Sequence, residues 1–316
     1  GDMSYNIPIV SLYGENFKPD ISELKGLDAL IFDIQDIGSR YYTYVSTLTN
    51  IMSSCSEIDL PLYVLDRPNP IGGEIVDGPI LDLNYSSFVG MHPIPIRHGM
   101  TIGELAFMIN ELGWHNSKKI DLKIVAMQGW NRDMYFENTG KEWVSPSPNI
   151  PNNKTAYIYQ GTCLIEGTNL SEGRGTDKPF IFIGSPWLNS KKTIARLNDL
   201  NLQGVNFNEV TFTPRFIPGK SISPKYKDEK CYGIEIDIVN RELSSPLSIV
   251  VNIINIISDL HPNKFKFNKD NFLDKLYGSD ELRKFISTDK ELSILFEKWN
   301  QDSEAFKQIR KDFLIY

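Results

Sequence analysis

The chain has 316 residues, 41% of them hydrophobic and 23% charged, with a net charge of −7. Such a chain is long enough to bury a sizeable core and, as a prior, to form two domains. Its acidic balance and the lack of a basic run exclude an electrostatic nucleic-acid footprint. Three cysteines, Cys55, Cys163 and Cys231, lie too far apart for a disulfide framework or a zinc spacing. The opening residues, Gly1 to Asn6, are polar and show no signal peptide. The longest apolar run, Leu247 to Leu260, is interrupted by Asn252, Asn255 and Asp259 and is too short to span a bilayer.

In chain order, residues 7–13 read as a strand ending at Gly14, and residues 28–34 as a second, nearly continuous apolar strand of the buried parallel kind. Residues 40–55 carry apolar side chains at mostly helical spacing, and residues 61–66 make a third strand. A loop rich in Pro and Gly spans 67–100. Thr101 then opens a helix with a capping box, Glu104 reaching back to the cap. Residues 121–127 form a fourth strand. Strands alternating with helices imply βαβ units and a parallel sheet, so the fold class is α/β, with a Rossmann-like, mostly parallel sheet in residues 1–150. The Pro-rich passage Ser145 to Pro151 marks a boundary. A smaller α+β domain, 151–316, follows, with a helix at 190–201, strands near 205–213 and 231–239, a helix at 246–260 opened by Ser245-Pro246, and helical spacing through the last 35 residues.

One stretch stands apart. Leu164 to Thr176 packs Glu166, Glu172 and Arg174 among Gly167, Gly173 and Gly175, with Thr168, Asn169, Ser171 and Thr176 as further donors and acceptors. It has little apolar content to bury. It reads either as a solvated surface turn or as a loop suited to a hydroxyl-rich ligand such as a sugar. Three charged turns precede it, at 32–42, 65–73 and 95–101, near the carboxyl ends of predicted strands, where open α/β sheets bind ligands. Each has a structural reading too. Asp36 could cap the next helix, Asp66 and Arg67 could pair with each other, and His98 could be a satisfied loop histidine. Glu104 is accounted for by its capping box.

Nucleotide-binding glycine motifs, metal-spaced histidines and a G-x-S-x-G elbow are all absent, so no metal or cofactor is expected. What remains is carboxylate, arginine, amide and aromatic chemistry. Carboxylate pairs serve glycoside hydrolysis, one acid protonating the leaving oxygen while a second group acts as base or nucleophile. Tyr41, Tyr42, Trp130, Trp143 and Tyr159 are candidates for stacking on sugar rings.

Five ordered motifs carry a family resemblance: Phe-Asp-Ile-Gln-Asp-Ile-Gly-Ser-Arg-Tyr-Tyr-Thr-Tyr (32–44), Leu-Asp-Arg-Pro-Asn-Pro (65–70), Ile-Arg-His-Gly-Met-Thr-Ile-Gly-Glu (96–104), Pro-Ser-Pro-Asn-Ile-Pro (146–151) and Ile-Glu-Gly-Thr-Asn-Leu-Ser-Glu-Gly-Arg-Gly-Thr (165–176). From about residue 7 to Tyr316 the chain resembles the NamZ/YbbC exo-β-N-acetylmuramidase family. The resemblance implies release of a terminal N-acetylmuramic acid (MurNAc) from the non-reducing end of peptidoglycan fragments. It also implies a secreted or periplasmic location, and a site in the cleft between a Rossmann-like domain and a smaller C-terminal one. Family members also carry an earlier βα portion with a Pro-Glu-His-Gly motif, whose glutamate is a candidate acid. That motif is absent from these residues, which fits either a shortened chain or a divergent member.

The leading expectation is therefore a muramic-acid glycosidase acting in cell-wall recycling, with Glu166 as a catalytic carboxylate and Asp36 or Glu172 as helper. Arg40 and Arg174 are the candidates for the lactyl carboxylate, and Asn149 and Asn169 for acetamido or hydroxyl groups. Gln35, Tyr41, Asp66, Arg67, Asn69, Arg97 and His98 complete the expected substrate-binding set. The expected partner is a peptidoglycan-derived glycan. The alternative is a non-catalytic glycan-binding protein that kept the cleft and lost the acid. A nucleotide-dependent enzyme rests on fold analogy alone.

Overall fold

The structure, a computed structural model, describes residues 9–12, 14, 17–286, 288 and 291–316. A single helical turn, α1 (Ile21–Leu24), precedes the first strand, β1 (Leu30–Phe32). Helix α2 (Tyr44–Glu57) and strand β2 (Leu62–Leu65) follow, then a ribbon of β3 (Asp77–Ile80) and β4 (Pro95–Arg97). Helix α3 (Ile102–Glu111) and strand β5 (Leu122–Val125) complete the first half. β1, β2 and β5 form a parallel sheet in that order, with Leu30 opposite Leu62 and Leu62 opposite Leu122. Phe32, Leu62 and Val64 point to one face, where they meet Val45, Leu48 and Met52 of α2 and Leu105, Ala106 and Ile109 of α3. The other face presents Ile31, Tyr63 and Val125 to solvent.

The capping box of α3 forms as read. Thr101 Oγ1 accepts from the Glu104 N–H at 3.2 Å, and Glu104 Oε2 accepts from the Thr101 N–H at 3.0 Å. Elsewhere the first half departs from expectation. Residues 9–12 form no strand, and residues 7, 8 and 13 lie outside the described residues. The 67–100 passage is not a plain loop, since it holds the β3–β4 ribbon. Helix α2 starts later than residue 40, because Ser39 bridges to Arg97 and residues 39–42 turn.

The second half begins with α4 (Asn153–Thr162), capped by Asn152 Oδ1 accepting from the Thr155 N–H at 2.8 Å. A 3₁₀ turn, Cys163–Gly167, continues from it. Strand β6 (Phe182–Ser185), helix α5 (Ser190–Asp199) and strands β7 (Val205–Phe212) and β8 (Cys231–Ile238) come next. β8 lies between β6 and β7, antiparallel to both. Helix α6 (Pro246–Leu260) has the predicted Ser245 cap and N1 proline. Helices α7 (Phe272–Tyr277), α8 (Glu281–Ile286) and α9 (Leu292–Arg310) end the chain. No helix among the described residues is long and apolar enough to cross a membrane.

α4 and α6 pack closely enough that a β-carbon on Gly161 would lie 2.0 Å from the Pro246 carbonyl oxygen, so only glycine fits there. The two halves share a core. Ile37, Tyr41, Tyr42, Ile71 and Ile96 pack with the 156–165 segment and α6. α9 returns to the first half, burying Phe306 in the α2–α3 core. At its end, the buried Arg310 donates to the carbonyls of Gly73, Glu74, His98 and Gly99.

Candidate active site

The 164–176 stretch folds back on itself around its charges. The 3₁₀ turn places Glu166 opposite Arg174, whose Nε and Nη2 donate to the same Glu166 oxygen, Oε1, at 2.9 and 2.5 Å. The other oxygen, Oε2, faces the Cys163 thiol at 3.8 Å. Burial and the nearby Glu166 charge keep that thiol protonated. Glu172 is buried, with Oε1 3.5 Å from Arg174 Nε and Oε2 3.2 Å from Lys225 Nζ. Lys225 also donates to the carbonyls of Ile165 (3.0 Å) and Leu170 (2.9 Å), so one cation closes the loop and faces its second carboxylate. Asn268 Nδ2 donates to the Glu166 carbonyl at 2.8 Å, fixing the turn from α7's side.

Burial lifts the Glu166 carboxyl above its ordinary value. The charges of Arg174 and Lys225 oppose the lift, that of Glu172 adds to it, and the net direction is upward. Glu166, Glu172, Arg174, Lys220, Lys225 and Phe272 line a cavity of about 500 Å³. Two carboxylates and three cations around one cavity can exchange a proton with a bound ligand and hold a carboxylate of that ligand.

A second, larger cavity of about 840 Å³ lies where the parallel strands end, lined by the residues after β1 (Asp33, Gln35), after β2 (Asp66, Arg67) and after β5 (Gln128, Trp130). A single cleft walled by the first-half turns and the 164–176 stretch was the expectation. In the structure the 32–42 and 65–73 turns contribute to the larger cavity, the 164–176 stretch to the smaller one, and the 95–101 turn to neither. A row of rings with centroid spacings of 5.0, 6.0 and 4.8 Å runs from Tyr44, in the wall of the larger cavity, through Tyr42 and Tyr159 to Phe180, which lies against Arg174.

Arg67 pairs with Asp33, at 2.6 Å, and not with Asp66. Asp66 instead accepts from Thr101 Oγ1, the Gly103 N–H, the Arg67 N–H and the Tyr316 hydroxyl, all within 2.7–2.9 Å. It anchors the start of α3 and has no oxygen left for a ligand. Gln35 donates to the Asp36 and Pro68 carbonyls.

Five expected binding residues are interior. Arg40 donates to the carbonyls of Pro79, Ile94, Leu276 and Tyr277, so its guanidinium cannot take a lactyl carboxylate. Tyr41 donates to the Gln160 carbonyl, Arg97 to that of Ile71, and Asn69 to that of Met100. His98 accepts from the Met100 N–H, and burial together with three nearby arginines pushes it down to about 3, leaving a neutral imidazole. All five are at most 3% exposed.

Asp36 does not cap α2, which begins at Tyr44 behind Thr43. It accepts from the Gly38 N–H at 2.7 Å and lies 4.0 Å from His98 Nε2, and burial pushes its carboxyl up to about 7. In the second half, Asn169 pins the chain at Lys264 and Lys266, and Asn149 donates to the Lys220 carbonyl beside the smaller cavity. Among the aromatic candidates, Tyr41, Tyr42 and Tyr159 are core, and Trp130 lines the larger cavity.

Comparison with known proteins adds the family. The model for the N-terminal part of the exo-β-N-acetylmuramidase NamZ matches residues 1–154, and that for its C-terminal part matches residues 157–316. The chain belongs to the NamZ family. It is 41% identical over 315 residues to the peptidoglycan β-N-acetylmuramidase NamZ of Bacillus subtilis (strain 168), covering 100% of this chain and 74% of that protein. Two crystal structures of DUF1343 family proteins from Bacteroides fragilis NCTC 9343 resemble it over its whole length. One has a TM-score of 0.91 at 32% identity and is 82% covered. The other has a TM-score of 0.81 at 36% identity and is 81% covered.

Within the NamZ C-terminal unit, sequence reasoning named Glu166, Glu172 and Arg174 but missed Lys225. That residue lies far along the chain in a loop with no motif, and only the fold brings it to the carboxylates. Phe180 was also missed. It carries no charge or motif, yet its ring lies under Arg174 at 4.8 Å.

Proposed function

We propose that this chain is an exo-acting glycosidase that removes MurNAc from the non-reducing end of peptidoglycan fragments. The observation that carries the reading is the shared cavity of Glu166 and Glu172, bridged by Arg174. The 41% identity to a protein named as a peptidoglycan β-N-acetylmuramidase supports the substrate class.

Glycoside cleavage needs a proton for the leaving oxygen and a second carboxylate on the reacting carbon or its water. Glu166, with its carboxyl lifted by burial, is the proton donor in this reading. Glu172, facing Arg174 and Lys225, is the second carboxylate. Lys220 is exposed at the cavity wall, and with Lys225 and Arg174 it offers positive charge to the lactyl carboxylate that distinguishes MurNAc from N-acetylglucosamine (GlcNAc).

Peptidoglycan lies outside the cytoplasmic membrane, so the working location is extracellular or periplasmic, and the released sugar would feed cell-wall recycling. The test is chromatographic detection of free MurNAc from a MurNAc-β-1,4-GlcNAc disaccharide. Release from this disaccharide, and none from one capped by GlcNAc, is expected. Binding without release would replace the hydrolase with a glycan-binding protein.

A further inference from the structure

The carboxylate cavity rests on two aromatic residues in a backbone conformation such residues rarely adopt. Among the described residues, the non-glycine positions with positive φ are Asp59, Asn116, Asn201, Asp228, Asn271, Phe180 and Tyr226. Asp and Asn tolerate the left-handed region through local hydrogen bonds, but a bulky aromatic there is an outlier. Strain of this kind persists only where surroundings over-determine it, and it gathers at functional sites.

Each aromatic outlier lies directly behind a residue that lines this cavity, Phe180 behind Arg174 and Tyr226 beside Lys225. Tyr226 (φ 56°) directly follows Lys225, and its hydroxyl donates to the Asn169 carbonyl at 2.7 Å. Phe180 (φ 63°) is buried, and its N–H donates to the Glu172 carbonyl at 2.6 Å. The Phe180 ring meets Tyr159 edge-on at 4.8 Å and lies beneath the Arg174 guanidinium, also at 4.8 Å. Arg174 itself stands between Gly173 (φ 78°) and Gly175 (φ 80°), so the backbone around it is built from the two most permissive residues. What fixes its side chain is the ring below and the two carboxylates beside it.

We propose that Phe180 is a positioning residue, its ring holding the Arg174 guanidinium between Glu166 and Glu172. The left-handed turn at Phe180 brings the N–H to the Glu172 carbonyl and the ring under the cation at once. Cation–π attraction gains where the ring is shielded from water, and the Phe180 ring is buried while Arg174 keeps its outer side open to the cavity. The proposal rests on the reading of Glu166 as proton donor.

The experiment is the pH dependence of kcat/KM for MurNAc release by the full chain, with Tm measured in the same buffers. Phe180→Leu keeps an apolar side chain and removes the π-face. Arg174 holds the Glu166 carboxyl down, so a displaced Arg174 lets it rise. The alkaline limb then moves up by about one pH unit, and kcat falls about tenfold with KM changed much less. Arg174→Lys keeps the charge but cannot stack or donate twice to one oxygen, and should move the limb the same way. It serves as the second arm if Phe180→Leu does not fold. A folded variant of either kind with the wild-type limb overturns the proposal. Glu166→Gln separates the two claims. Full turnover in that variant removes the underlying reading, whereas an inactive Glu166→Gln beside an unshifted Phe180→Leu removes only Phe180.

Discussion

Arg174 places two donors, Nε and Nη2, on a single oxygen of Glu166 and leaves the other oxygen facing the Cys163 thiol. The carboxyl is therefore held from one side and lifted by burial from the rest. Removing the cation should have a signed effect. In Arg174→Ala, Glu166 and Glu172 face each other with less positive charge between them, so the Glu166 carboxyl rises further. The alkaline limb of the pH–activity curve should move to higher pH, and the rate at the optimum should fall about a hundredfold as the geometry loosens. An unshifted limb would show that another group titrates.

Arg40 was expected to bind substrate, and the structure makes it a tie between four segments. Arg40→Met leaves the carbonyls of Pro79, Ile94, Leu276 and Tyr277 without this donor. A loss of about 4 kcal/mol or more in unfolding free energy is expected. Folded protein should keep its KM. A raised KM with unchanged denaturant midpoint would return Arg40 to the binding list.

Gly161 sets helix propensity against packing. Alanine is favoured over glycine in a helix by about 1 kcal/mol. The added carbon would lie 2.0 Å from the Pro246 carbonyl oxygen, so α4 and α6 would have to separate. The clash should win, with a net loss of about 2 kcal/mol in Gly161→Ala by urea denaturation. A stabilised variant would mean that the helices yield freely.

Asp36 predicts a pH dependence of stability. Its folded carboxyl sits near 7 against an ordinary 3.8, so the folded state holds the proton more tightly. Its stabilising contribution is full below about 3.8 and is lost as pH rises through about 7, with an upper bound of about 4 kcal/mol. Asp36→Asn cannot ionise. Its stability relative to wild type should rise between pH 4 and pH 8, read from urea midpoints. A constant difference would mean that Asp36 is ionised throughout.

Much of the fold was legible because its signals are local. The Thr101–Glu104 box and the Ser245-Pro246 start each lie within a few residues, and each forms as read. Helix α4 was harder. Its Asn152 cap is present, but Tyr, Gln, Thr and Gly fill its turns, so no apolar stripe announces it. The charged turns misled for a physical reason. Arg40, Arg97 and His98 sit among glycines and prolines, which reads as surface. The fold encloses them and gives their donors to backbone carbonyls, a partner that no sequence pattern marks. The charges of 164–176 were visible as a group, but Lys225 and the strained Phe180 become part of the site only through the fold.

The central claim is that Glu166 supplies the proton. It is tested most directly by MurNAc release from MurNAc-β-1,4-GlcNAc by Glu166→Gln, compared with wild type at matched fold and pH. Glutamine preserves the shape and an acceptor for Arg174 but has no acidic proton to give. A fall of about 10²–10⁴-fold in kcat with retained disaccharide binding is predicted. Turnover at the wild-type rate would contradict the account and move the chemistry away from the Glu166–Glu172 cavity.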